Sequence, residues 1–318
     1  MNLSFIHISV MLLTIAIVLG GGIWASRSVK SAEGYSLGGR KAGAGMVAGV
    51  IAGTVVGGGA TVGTAQLAFS VGLPAWWFTL GSGIAMIILG LFYAKPLRST
   101  ALTTIPQYLV LNYGKNAGTI SSVISSVGIL LSGVASCLPG IQIISAILDL
   151  PPWPAAIVLV ILNACYVFFG GMKSAGVGGI LKMAVIWLSL CVAGFTAFNL
   201  LPTGAEFAAT FPELPWCSLF GRGTSSALAN LFSLIVGIVC TQTYIQAIFS
   251  ASDPRTASIG AFVAALIVIP VGLPSVAIGM YMHAFEPGTV PILVLPAFLA
   301  EHVPAWKAAS PWAASCSR

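Results

Sequence analysis

Residues 45–63 read Gly45-Met46-Val47-Ala48-Gly49-Val50-Ile51-Ala52-Gly53-Thr54-Val55-Val56-Gly57-Gly58-Gly59-Ala60-Thr61-Val62-Gly63. The stretch is wholly apolar but for two threonines, so it belongs out of water. Glycines at 45, 49, 53 and 57 recur every four residues, a ridge on one helix face that lets a second helix approach closely. Gly58 and Gly59 fall outside that ridge. Each glycine costs roughly 1 kcal/mol against alanine in a helix interior, so three in succession invite unwinding. Freed carbonyls are tolerated inside a bilayer only against protein or a wet cavity. The stretch predicts a helix that packs tightly along its first half and breaks at Gly57–Gly59.

The rest of the chain places this helix in a membrane. Of 318 residues 58% are hydrophobic and 6% charged, against about 25% charged in soluble domains. Apolar runs of roughly bilayer-spanning length fall at about 5–25, 43–70, 76–96, 118–148, 153–169, 180–200, 228–249 and 260–283. The first lacks a basic leader and reads as a span rather than a signal peptide. Eight spans put Arg27, Lys30, Arg40, Lys41, Lys95, Arg98, Lys115, Lys173 and Arg255 on one side, and Arg222 alone among basic loop residues on the other. That bias sets the nine on the cytoplasmic side and the N-terminus outside. Thr104-Ile105-Pro106 opens a cytoplasmic interfacial helix, and Leu201–Ser226 reads as an outer lid.

Several functions are excluded. The thirteen Lys and Arg residues are spread thinly, with no clustered basic face for nucleic acid. Cys137, Cys165, Cys191, Cys217, Cys240 and Cys316 form no C-x-x-C pair, and most sit in apolar runs. They read as small core residues, and the three histidines are isolated, so no metal site is expected. No carboxylate pair, Ser-His-Asp set or phosphate loop lies in the spans, which argues against an enzyme.

Three features remain for binding a solute. Broken helices with freed carbonyls hold cations and substrates in secondary transporters. Lys182, the one charge inside a span, either snorkels to the cytoplasmic surface or presents its ammonium to the core, replacing a metal cation or exchanging protons. Thr241, Gln242, Thr243 and Gln246 form a polar patch that is either interhelical glue or a pathway lining.

Taken in order, the motifs resemble the sodium/solute symporter family of proline, pantothenate and sugar symporters. Ser36-Leu37-Gly38-Gly39-Arg40, the glycine-rich second span, Thr104-Ile105-Pro106-Gln107-Tyr108, Tyr166 through Gly170-Gly171 to Ala175, and Tyr244-Ile245-Gln246 with Ser250-Ala251-Ser252-Asp253 carry the likeness. It implies an all-α, leucine-transporter-type inverted-repeat bundle with one extra N-terminal helix and an incomplete second repeat. It also implies cation-coupled symport of a small solute by alternating access in the cell membrane, with Na+ as coupling ion and no cofactor. The family's cation carbonyls correspond to Gly53 and Val56, with Gly57 beside them. The substrate would lie around Gly58, Gly59, Ala60, Thr241 and Gln242, with membrane lipid as the other partner.

The sequence departs from the family where a Thr-Asp pair becomes Gly178-Gly179, a Gln becomes Lys182 and an Arg becomes Ala247. Proton coupling through Lys182, uncoupled transport, a solute sensor and a non-functional fragment are the alternatives. Residues 1–306 are expected to form the transmembrane domain. Residues 307–318, Lys307-Ala308-Ala309-Ser310-Pro311-Trp312 and onward, read as an aberrant tail from a frameshift.

Overall fold

The computed structural model describes residues 5–27, 31–168 and 171–303. The tail 307–318, and Phe169 and Gly170 of the fourth motif, lie outside the described residues. Helices occupy all eight expected positions. In chain order they are α1 (Phe5–Ser26), a short α2 (Ala32–Leu37), α3 (Ala44–Val55), α4 (Thr64–Val71), α5 (Trp77–Ile88), α6 (Ala94–Ser99), α7 (Ile105–Tyr113), α8 (Lys115–Leu148), α9 (Pro152–Phe168), α10 (Gly171–Leu200), α11 (Ala205–Thr210), α12 (Thr224–Cys240), α13 (Gln242–Ser250), α14 (Pro254–Phe285) and α15 (Val294–His302).

Among the described residues, four uninterrupted helical stretches are long and apolar enough to cross a membrane, or up to six when each bent pair counts as one span. Leu188, Phe195 and Leu266 stand 69–76% exposed on α10 and α14. In water such surfaces would aggregate; in lipid they are the expected outer face of a multi-pass protein.

Two spans are broken. The α3–α4 pair bends by 57° and the α12–α13 pair by 49°. The first break falls where the glycines foretold it: Val56 leaves the helix at ψ 97°, Gly57 and Gly58 turn, and a π-turn over Gly59–Gly63 leads into α4. The second was not foreseen. It pivots on Thr241 at φ −85° and ψ 128°, with neither glycine nor proline at the pivot. The two broken helices open two runs of spans, as an inverted repeat requires.

α10 packs along α3 and α1, and α14 along α3, α4, α5 and α10. The α3–α10 seam is made by glycine. A Cβ on Gly53 would lie 2.7 Å from the Cα of Gly179, and one on Gly49 2.9 Å from the Gly176 carbonyl oxygen. Gly45 faces open space, so the expected ridge narrows to Gly49 and Gly53 in its first half.

The loops expected on the cytoplasmic side share one face of the bundle. Ala42 N–H donates to the Ser250 carbonyl (3.1 Å) and Ser252 N–H to that of Ala42 (3.0 Å). Arg98 Nε donates to Ala251 at 2.6 Å. Asp253 caps α14 by accepting from the backbone N–H groups of Arg255 and Thr256, each at 2.9 Å. Those bonds, with others from the Thr256 and Ser252 hydroxyls, bring its carboxyl down to about 2. The last motif is thus a helix start. Thr104 and Gln107 form a reciprocal capping box at α7, as the Thr-Ile-Pro signal suggested.

On the opposite face the 201–226 segment covers the outer ends of α4, α5 and α14. Phe211 and Trp216 are buried, and the Trp216 ring lies 4.2 Å from that of His283. Gly72, at φ 69°, leaves room for Trp216, whose carbonyl oxygen would be 2.7 Å from an added Cβ. Trp77 Nε1 donates to the Leu219 carbonyl at 2.8 Å.

The cysteines need a correction. Cys191, Cys217 and Cys240 are exposed on the protein surface and Cys137 is half-buried; all four are free thiols. An apolar run does not distinguish a lipid face from a core, so their placement in the core did not follow.

Candidate functional site

The two breaks, α5, α8 and α12 line a half-open cavity of about 400 Å³. Thr54 and Val55 line it from the end of α3, Phe78 and Ser82 from α5, and Thr241, Thr243 and Tyr244 from the second break. A second cavity of about 410 Å³ runs from Thr54 and Thr243 toward the basic face, past Tyr35, Ser36, Met172 and Gln246. Both share Thr54 and Thr243, so together they form a path from mid-bundle to that face. The 201–226 segment covers the opposite end.

The expected cation carbonyls fare differently. The Gly53 carbonyl accepts a hydrogen bond from the ammonium of Lys182. The Gly57 carbonyl is taken within its own turn by Thr61, whose N–H and hydroxyl donate at 3.0 and 2.9 Å. Val56 N–H still donates to Ala52 at 2.8 Å, and its extended conformation ends the α3 ladder.

Lys182 is 6% exposed, which decides between its two readings. α10 starts at Gly171, not near residue 180 as the sequence suggested. Lys182 is therefore eleven residues, or about 16 Å, along the helix. A side chain buried at that point on the helix is held by protein and does not reach the surface. The close α3–α10 seam brings its ammonium to the break in α3.

The expected substrate positions also divide. Thr241 lines the cavity. Gly59 borders it through Phe78, whose ring would lie 3.6 Å from an added Cβ, whereas Gly58 packs on Pro139 of α8 at 2.9 Å by the same measure. Ala60 is fully buried. Gln242 turns the other way. Its Oε1 accepts from Ile105 N–H at 2.9 Å and its Nε2 donates to the Thr103 carbonyl at 3.3 Å. Gln246 Nε2 donates to the Ser36 carbonyl at 2.6 Å. The polar patch is therefore both things at once: Thr241 and Thr243 line the path, Gln242 ties α13 to its neighbour, and Gln246 does both. Residues 242 and 246 are one helical turn apart and share a face, the one signal that could have separated them.

Sequence reasoning missed Ser82 on α5 and Ser132, Ser136 and Ser233 in the cavity wall. It also treated His302 as isolated. In the structure His302 stacks on Phe298 and its Nε2 stands 3.8 Å from Glu286, with Glu301 beside them. Burial first, then Glu301, pushes the Glu286 carboxyl up.

Residues 35–294 match the family described as Sodium:solute symporter family. The chain is similar to high-affinity choline transporter 1 of Torpedo marmorata, 26% identical over 278 residues, which is 83% of this chain and 48% of that protein. The human high affinity choline transporter 1 is likewise 26% identical over 277 residues, with 83% and 48% covered. A sodium/glucose cotransporter of Vibrio parahaemolyticus is 27% identical over 183 residues, 54% of this chain and 33% of its own. The chain spans about half the length of the choline transporters it matches. Among solved structures, a substrate-bound, outward-open Na+-coupled sialic acid symporter has a TM-score of 0.83 at 16% identity, covering 99% of this chain and 70% of that one. At that identity the likeness establishes the fold.

Proposed function

This chain belongs to the sodium:solute symporter family, and from that premise we propose that it is the membrane domain of a secondary active transporter, moving a small solute by alternating access with a coupling cation. The observation that carries the reading is the junction at the first break. The Gly53 carbonyl near the end of α3 faces a positive charge from α10, beside a cavity formed where both broken helices pivot. Carbonyl dipoles at a discontinuous helix are the means by which such transporters hold cations. The cavity itself would take the solute, and the path past Tyr35 and Met172 would be its route to the cytoplasm. The N-terminus would then lie outside and the basic loops in the cytoplasm of a cell bearing the protein in its plasma membrane, an orientation that the excess of basic loop residues on one side supports.

Sodium is the coupling ion that membership suggests. A second reading, proton coupling, is favoured by Lys182 itself: its ammonium stands where the cation is expected, so gain and loss of its proton would fill and empty the position. α3 has no titratable residue. On α10 the others are Lys173, near the basic end, and Cys191. On α14 Arg255 lies at the basic end, with Tyr281 and His283 at the other. On α1 and α2 the titratable residues are His7, Glu33 and Tyr35. Tracer uptake into vesicles, under separately imposed sodium and pH gradients, tests the proposal. Uptake driven by neither gradient would refute coupling. Uptake driven by pH and abolished by Lys182→Ala would assign the coupling to Lys182.

A further inference from the structure

The cavity between the breaks carries an inference about the solute, which rests on the transport reading above. Neither cavity has an Asp, Glu, Lys or Arg in its wall among the described residues. Eight of the fifteen residues lining the inner one carry a hydroxyl on an otherwise apolar wall, and only two present aromatic rings, Phe78 and Tyr244. Quaternary ammonium groups are held by aromatic cages, which two rings do not complete. The nearest charge works against a cation as well. The Lys182 ammonium is bonded to Gly53, whose neighbour Thr54 lines both cavities. At an effective dielectric near 20, a like charge about 10 Å away disfavours a cation by roughly tenfold.

Anions are poorly served for a different reason. The same charge favours an anion by a similar factor, but that gain is smaller than the several kcal/mol that desolvating a carboxylate without charged donors costs. Thr54 Oγ1 donates to the Val50 carbonyl at 2.7 Å and Ser82 Oγ to that of Phe78 at 2.6 Å. With their protons spent on their own helices, these hydroxyls offer oxygen lone pairs to the cavity. A carboxylate needs donors, whereas a hydroxyl or amide N–H needs acceptors.

We propose that the cavity binds a small uncharged solute bearing several hydroxyl or amide N–H donors, and rejects quaternary ammonium and carboxylate solutes. At about 400 Å³ it lies in the ordinary range for small-molecule sites. The test is saturable binding to the purified 318-residue chain, using labelled glycerol, myo-inositol and urea as neutral probes, choline as the cation and lactate as the anion. At least one neutral probe should bind, with choline and lactate failing to compete. Thr54→Val and Ser82→Ala should each weaken that binding by about three- to tenfold, one hydrogen bond apiece. Choline or lactate binding more tightly than every neutral probe would overturn the solute class and leave the transport reading intact. Binding of none of the five to chain that still melts cooperatively would overturn it too. The transport reading fails separately, when a solute binds but is not carried across the membrane of proteoliposomes.

Discussion

If the Lys182 ammonium holds the cation's place, as the second reading has it, replacing it by alanine should turn a sodium-insensitive protein into a sodium-binding one. The substitution removes a buried ammonium (6% exposed) from the Gly53 carbonyl and vacates its volume beside the break. Two stability terms then oppose each other. A hydrogen bond from a charged group, worth about 1.5–3 kcal/mol, is lost, while the cost of burying the charge, several kcal/mol, is relieved. Because these are similar in size, the discriminating quantity is the response to sodium. If Na+ occupies the vacated position, saturation at 100 times its Kd stabilises the variant by about 2.7 kcal/mol. For a chain of this size that corresponds to roughly 4–8 °C in melting temperature. The assay is thermal unfolding in detergent with NaCl exchanged for N-methylglucamine chloride at constant ionic strength. The native protein should show no sodium-specific shift and Lys182→Ala a shift of that size. A native protein that sodium stabilises as strongly as the variant would refute the reasoning, since its ammonium would then not hold the cation's place. So would a variant with no response.

Three further outcomes are expected. Gly179→Ala should cost about 1–3 kcal/mol by overpacking, because its methyl would press on the Gly49 carbonyl, whereas Gly45→Ala, facing open space, should leave the melting temperature unchanged or raised. Gln242→Leu should destabilise by about 1–3 kcal/mol through the unpaired backbone groups at Thr103 and Ile105, without altering which solutes bind; altered selectivity would return Gln242 to the cavity. Glu286→Gln should melt higher than the native protein at pH 7–8 and level with it near pH 4. A carboxyl held above its ordinary value by burial and by Glu301 contributes stability below its unfolded pKa and loses it as pH rises through the folded one.

The first break was legible because glycine announces itself: three in a row have no cheap place in a helix. The second was hidden because Thr241 carries no such mark, and its conformation is set by the packing of α12 on α5 and the anchoring of α13 by Gln242 and Gln246. Hydrophobicity located the helices but not their faces. In a soluble protein an apolar run faces a core, whereas in a membrane lipid and core ask for the same residues. That is why the cysteines were misplaced and the cavity serines overlooked. Lys182 could be singled out from sequence, yet its two readings differed in burial, and burial depended on how closely α10 packs on α3.

The glycine ridge and the lysine are one device. From sequence the ridge and the break were two features of the second span, and Gly178, Gly179 and Lys182 stood as separate departures from the family pattern. In the fold they depend on each other. Gly53 and Gly179 meet backbone to backbone, and Lys182 lies three residues beyond Gly179, close to one turn of α10. A side chain at 179 would push α10 from α3 by the width of a methyl or more and draw the ammonium off the Gly53 carbonyl. The lysine can therefore serve as a resident cation only while 179 remains glycine. It follows that placing Asp at 179 while keeping Lys182 should not simply add a sodium ligand. It should part the seam and pair the new carboxylate with the ammonium, leaving the Gly53 carbonyl open, so that recovering a sodium site requires changing both positions together.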